Sequence, residues 1–197
     1  MSISNKPTII GLSGTNGSGK DSLGIGLEKY GYFFVSVTDF LREELKNQNM
    51  VITRENMRKL STQWRKQHGG GYLIERAVEF WRQTKPGTGG VVIASLRDPQ
   101  EVQTLHKLGG LMVWIDADPQ VRYQRIQDNL AVRGRADEDT VSFEQFLQAE
   151  KAEMRPSQDA SSSLDMTSVK KNSDIFLAND YPDVGSFVTY AADKLGL

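Results

Sequence analysis

The sequence predicts an α/β domain with a parallel sheet flanked by helices. Two observations carry that reading. Short apolar segments at 7–12, 32–37, 91–95, 111–115 and 175–178 alternate with stretches of helical periodicity. The first of them is followed by a glycine-rich turn, a helix and a β-rich segment at the spacing of a βαβ unit, and such a unit lays its strands in parallel.

Each element has its own signal. Residues 7–12 form a short buried strand and 13–19 the glycine-rich turn. Residues 20–30 read as a helix with Leu23 and Leu27 on one face and Gly31 as its stop. Residues 32–37 are the second strand. The stretch 38–85 is helical almost throughout. One helix spans 39–47; Thr53 caps a second, whose Met57, Leu60 and Trp64 share a face; Gly69, Gly70 and Gly71 break it; a third carries Leu73, Ala77 and Trp81. An excursion of this kind between two strands is an insertion rather than a simple crossover. Residues 86–90 turn into a wholly apolar third strand at 91–95, suited to the middle of a parallel sheet. A helix at 98–108, a fourth strand at 111–115 and a helix at 119–130 behind Asp118 come next. Residues 131–139 are polar and arginine-bearing and read as a loop, 143–154 as a helix, 156–163 as a mobile Ser-rich segment, 175–178 as the last strand and 184–194 as the closing helix.

Composition narrows the function classes. The 197 residues fit one domain with insertions or a core domain plus small lids, and 38% hydrophobic with 25% charged residues is ordinary for a globular chain. Twenty-four basic against 25 acidic residues give a net charge of -1, which favours a small partner over nucleic acid. The absence of cysteine excludes disulfides, thiolate catalysis and Cys-ligated zinc, and His68 and His106 are too few for a histidine metal site. His68 reads as a helix-end residue, and Trp64, Tyr72 and Trp81 as core. The opening MSISNKPTIIGLSG lacks an apolar leader, and no apolar run spans a membrane, so a cytoplasmic location is the expectation.

The strongest motif is Gly14-Thr15-Asn16-Gly17-Ser18-Gly19-Lys20, which matches G-x-x-x-x-G-K between a strand and a helix. Glycines let successive backbone N–H groups turn inward around phosphate oxygens, and the helix N-terminus adds its positive end. Lys20 reaches the β- and γ-phosphates of a bound nucleotide. A dinucleotide fingerprint fails, because Ser22 stands where G-x-G-x-x-G requires glycine. Asp21 follows the lysine, so Ser22 supplies the nearest hydroxyl for Mg²⁺ or phosphate.

The segment from Gly14 to Ser22 resembles the P-loop of nucleoside monophosphate kinases, and also the loop that opens dephospho-coenzyme A kinases and the GKD loop of phage-type deoxynucleotide kinases. The resemblance implies a sheet of about five parallel strands, with a core at 1–37 and 86–197, a helical acceptor-binding insertion at 38–85 and a short lid near 131–139. Ser36, Asp39 and Arg42 are similar to the adenylate-kinase segment that precedes an acceptor-binding arginine, with Val37 where that family has threonine. Asp39 would then lie near Mg²⁺ through water, or else cap the next helix. Arg97 and Glu101 resemble the strand-Arg-x-x-x-Glu pattern that grips the acceptor phosphate; the alternative is a solvated surface arginine. Arg122 and Arg125, followed by Arg133 and Arg135, resemble a lid whose arginines neutralise the transferred group, the alternative being a solvated charged turn. Asn179, after a strand similar to the last strand of dephospho-coenzyme A kinases, is an adenine contact or a plain turn residue.

Together these imply ATP-dependent phosphoryl transfer, with Mg²⁺, to a small phosphorylated acceptor, foremost a nucleoside or deoxynucleoside monophosphate. Gly14 to Ser22 and Asn179 would bind the nucleotide; Asp39, Arg42 and Arg97 the acceptor; Ser22 and Asp39 the metal; and Lys20, Arg97, Arg125, Arg133 and Arg135 would serve the transfer. Dephospho-coenzyme A kinase activity is an alternative that fits less well at Arg97. An accessory ATPase without a small acceptor is another, and a second cluster of arginines argues against it.

Overall fold

A computed structural model describes residues 6–133, 140–154 and 164–197. Within them β1 (Ile9–Gly14), β2 (Tyr32–Ser36), β3 (Gly90–Ala94), β4 (Leu111–Asp116) and β5 (Ile175–Ala178) form one five-stranded sheet in the order β2-β3-β1-β4-β5. Every pairing is parallel. The registers bring Gly14 opposite Ile115, Ser36 opposite Ala94 and Asp116 opposite Ala178, so the carboxyl ends of all five strands share one edge. The chain leaves β1 toward β2 and leaves β4 toward β5, in opposite directions. Such a divergence opens a crevice at the strand ends, where α/β sheets bind ligands.

The strands are apolar on both faces because both are covered. Ile9, Val91, Ile93, Met112 and Trp114 point into one core, with side chains from α2 (Val37–Asn47), α3 (Arg54–His68), α4 (Tyr72–Thr84) and α5 (Pro99–Lys107). Ile10, Leu12, Val92, Val113 and Ile115 alternate onto the other face and meet α1 (Lys20–Gly26) and the C-terminal helix α10 (Val184–Leu195) through Leu23, Phe187 and Val188. Each fully buried side chain of this size contributes about 1.5–3 kcal/mol by leaving water. Between β4 and β5 the chain forms α6 (Pro119–Asp128), the short α7 (Leu130–Arg133), α8 (Phe143–Met154) and α9 (Met166–Lys171); α8 packs on α6 and α9, and α9 on β1 and α5. No helix of the described residues is long and apolar enough to cross a membrane.

Several boundaries differ from those expected. Val37 starts α2 instead of ending β2, and Ser36 is the residue that precedes the helix. Asp39 therefore sits inside the first helical turn, and its reading as an N-cap is corrected. A β-branched residue after an apolar run reads as strand, and only the backbone turn at Ser36 shows otherwise. The helix after the glycine turn ends at Gly26 and continues as a 3-10 turn over Leu27–Tyr30, with Gly31 as the stop. Leu130–Arg133 is a short helix, not loop, and α9 was not foreseen. Thr53 caps α3 by accepting from the Asn56 N–H at 3.1 Å, as expected. The Ser-rich stretch 156–163 lies outside the described residues.

Candidate functional site

The glycine-rich turn sits at the centre of the strand-end edge. Gly14 has φ of +149°, and a Cβ there would collide with the Ile115 carbonyl oxygen of the adjacent strand. Gly19 has φ of +93°, and its missing Cβ leaves room for the amide of Asn179. Only glycine accepts both demands. The turn is braced from three sides. Thr15 Oγ1 donates to Asp116 at 2.7 Å, Asn179 Nδ2 donates to the Ser18 carbonyl at 2.8 Å, and Arg122 Nη1 donates to the Asn16 carbonyl at 3.2 Å. Lys20, 9% exposed, donates from Nζ to the Thr15 carbonyl at 3.2 Å. Buried Ser18 Oγ finds no hydrogen-bond partner among the described residues. A buried hydroxyl left without a partner is costly unless a ligand completes it.

The turn forms one wall of a cavity of about 1020 Å³. Gly17, Gly19, Lys20, Asp21 and Ser22 line that wall. Facing it are cationic side chains from other elements: Arg42 of α2, Arg54, Arg58 and Arg65 of α3, Arg97 after β3, and Arg125 of α6. Arg65 is already committed. Its Nη2 donates to Glu101 at 2.7 Å and its Nε stands 3.5 Å from Asp98, all three being buried. Glu101 also closes a capping box on Asp98 at the start of α5 and accepts the Arg97 N–H at 2.8 Å. That fixes the backbone from which the Arg97 guanidinium extends. Arg97 and Arg54 both meet Glu153, at 3.1 and 3.7 Å. Burial pushes the Glu153 carboxyl up, but Arg97, Arg54 and Lys20 outweigh it and hold the group below the usual carboxylate range.

The structure brings Asn16, Gly17, Gly19, Lys20, Asp21, Ser22, Arg42, Arg97, Arg125 and Asn179 to this one cavity, while Gly14, Thr15 and Ser18 of the same turn do not line it. It does not bring Asp39 there. Asp39 is two-thirds exposed and pairs with Arg42 at 3.0 Å, one turn along the same helix. Asn179 spends its side-chain amide donor on the Ser18 carbonyl, and its backbone carbonyl accepts from Arg125 Nη2 at 3.1 Å. Arg122 is buried, holding the Ala117 and Asn16 carbonyls and both oxygens of Glu150, so it braces the turn rather than facing the cavity. Arg133 ends α7 with its side chain outside the described residues, and Arg135 lies outside them altogether.

Sequence reasoning missed Arg54, Arg58, Ser61 and Arg65, and it missed Glu153. The first four had a legible signal. Spacings of four, three and four residues put them on one stripe of α3, next to the apolar stripe of Met57, Leu60 and Trp64. A polar stripe hard against a buried one borders an enclosed space. Glu153 had none, because its partners are remote in sequence.

Comparison with known proteins places this geometry. A family model described as an AAA domain matches residues 13–144, from the phosphate turn through α8's first turn. UPF0200 protein TK1334 of Thermococcus kodakarensis is 31% identical over 151 residues, covering 75% of this chain and 79% of its own. UPF0200 protein PAE1629 of Pyrobaculum aerophilum is 32% identical over 149 residues, covering 75% of this chain and 78% of its own. Among solved structures, shikimate kinase from Bacteroides thetaiotaomicron superposes with a TM-score of 0.57 at 14% identity, over 96% of this chain and 99% of that one. TT1252 from Thermus thermophilus does so with a TM-score of 0.56 at 18% identity, over 98% of each chain. At those identities the likeness is one of fold, and the fold is that of the P-loop kinases. By sequence, the chain belongs to the family described as an AAA domain and to the UPF0200 proteins.

Proposed function

We propose that this protein transfers the γ-phosphoryl group of ATP to a small phosphorylated acceptor, a nucleoside or deoxynucleoside monophosphate. One observation supports the reading above the others. Lys20 and the phosphate turn share a single cavity of about 1020 Å³ with Arg42, Arg54, Arg58 and Arg97. A ligand pocket for one small molecule spans roughly 300–1,000 Å³, and this one stands at the upper end of that range. A nucleotide alone needs one set of cations. A second set across the cavity is what a second phosphorylated ligand needs, since phosphoryl transfer relies on alignment and charge neutralisation more than on covalent chemistry.

The reading assigns these roles. The turn and Lys20 would hold the β- and γ-phosphates, and Arg97 and Arg42 the acceptor phosphate. Helices α2 to α4, between 38 and 85, would supply the acceptor pocket, and the stretch near 131–139, with Arg133 and Arg135, the lid. Arg125 lies between, with Nη1 buried and unpartnered among the described residues. Mg²⁺, when bound, neutralises charge between the β- and γ-phosphates. Ser22, on the cavity wall, would supply a hydroxyl to hold it, with phosphate oxygens and water as the other ligands. Asp39 is left outside that set.

The test is ADP release from MgATP against every ribo- and deoxynucleoside monophosphate, with dephospho-coenzyme A and shikimate as further acceptors. Stimulation by one or a few monophosphates supports the reading. Stimulation by dephospho-coenzyme A alone moves the activity there, and slow ATP hydrolysis indifferent to every acceptor favours an accessory ATPase.

A further inference from the structure

Two guanidinium groups from distant parts of the chain converge on one carboxylate inside the cavity. Arg54 comes from the first turn of α3 and Arg97 from the loop after β3. Arg97 Nη1 lies 3.1 Å from one Glu153 oxygen, and Arg54 Nη1 lies 3.7 Å from the other. Forked cations that each take a separate oxygen are suited to a planar or tetrahedral oxyanion. All three residues line the cavity that Lys20 also lines.

Each partner is held from behind. The Arg97 N–H donates to Glu101 and its carbonyl accepts from the Asp165 N–H at 3.2 Å, so the side chain projects from a fixed backbone. Glu153 occupies the last turn of α8, which is anchored by other residues: buried Phe146, Glu150 on Arg122, and Met154, which packs against the core and whose carbonyl accepts from Thr167. The Glu153 side chain can therefore turn away without unpacking the helix.

We propose that Arg54 and Arg97 form an oxyanion subsite for the acceptor phosphate, and that Glu153 is a built-in carboxylate occupying it until that phosphate displaces it. The identity of the ligand rests on the phosphotransfer reading; the competition does not. A carboxylate and a phosphate cannot share two arginines at this distance, because like charges inside a partly desolvated pocket repel strongly. The carboxylate is kept ionised by its cationic neighbours, so it competes with full charge at neutral pH. Apparent affinity at such a subsite falls by the fraction of molecules in which it is open.

The experiment fills the phosphate turn with AMPPNP and Mg²⁺ and then titrates inorganic phosphate by calorimetry. Glu153→Gln keeps the shape and removes the charge. It is expected to bind phosphate about 10-fold more tightly than the parent, as for a subsite about 90% closed. Adding Arg97→Ala to it should abolish the gain. Glu153→Asp keeps the charge but is one methylene short of the arginines, and it should fall between the two. Should Glu153→Gln fold poorly, Glu153→Asp carries the comparison alone, with thermal unfolding as the control. Phosphate affinity that is unchanged or lower in these variants overturns the proposal and leaves Glu153 a ligand contact or a stabilising ion pair. A gain for phosphate without turnover of any monophosphate keeps the subsite and rejects the acceptor assignment.

Discussion

Lys20 reaches the cavity from the first turn of α1, with Nζ on the Thr15 carbonyl, and its neighbours show which single residues matter for what. Lys20→Met should lower turnover at least 100-fold, about 3 kcal/mol of lost transition-state stabilisation, with thermal stability nearly unchanged. Near-parent turnover in a folded variant would remove the phosphate turn from the mechanism. Arg65 is the opposite case, a cation in the same cavity wall whose work is structural. Arg65→Met would strand Glu101 and Asp98 without their counter-charge in the interior. It should cost about 3–5 kcal/mol of stability, read as a lower denaturation midpoint at an unchanged slope. At this scale the sequence revealed what local backbone chemistry dictates. Gly14, Gly19 and Lys20 are legible because a turn that cradles phosphate admits few residue types. The Arg65–Glu101 pair was not, since 36 positions separate its members and nothing local requires either.

Elements were read best where their ends carry their own chemistry. The helix expected at 98–108 is α5, and its start carries a capping box of Asp98 and Glu101 that the expectation did not draw on. Thr53 announces α3. Helix α9 has six residues, too few for a periodic pattern, and only the Asp165 cap marks it. The strand β2 ran one residue long in the reading because Val37 is β-branched, while the true boundary is a backbone turn with no side-chain cap hydrogen bond. Helix α3 gives the element-scale prediction. Its polar stripe lines the cavity, and its apolar stripe shares the core with Leu73 and Trp81. Arg58→Ala, and Arg42→Ala on the neighbouring α2, should raise the acceptor KM about 10-fold, the loss of one charge-assisted contact. KM for ATP should move by no more than a few-fold. A larger effect on ATP than on the acceptor would mean that the two walls of the cavity have been assigned the wrong way round.

For the molecule as a whole, right-handed crossovers and a parallel sheet limit the possible strand orders without selecting one. The order β2-β3-β1-β4-β5 is set by which faces the helices can cover, a property of the assembled chain rather than of any segment. Its consequence is a phosphate turn at the middle of the edge, flanked by the ends of β3 and β4, with cations from α2, α3 and the β3–α5 loop across one cavity. Two anionic ligands bound side by side in one cavity can be joined. A ligand carrying adenosine and an acceptor nucleoside on one phosphate chain would meet both walls at once, and the second contact would no longer carry the entropic cost of a separate association. Such a ligand, the acceptor nucleoside chosen from the activity screen, should bind at least 100-fold more tightly than ATP. Arg97→Ala should bring its affinity down toward that of ATP, while Lys20→Met should weaken both ligands. Glu153→Gln should tighten the linked ligand and leave ATP unchanged, because only the former has to evict the carboxylate. Calorimetry on the parent and these three variants measures each term. A linked ligand that binds no better than ATP would show that the two walls cannot be filled together, and the large cavity would then belong to one nucleotide alone.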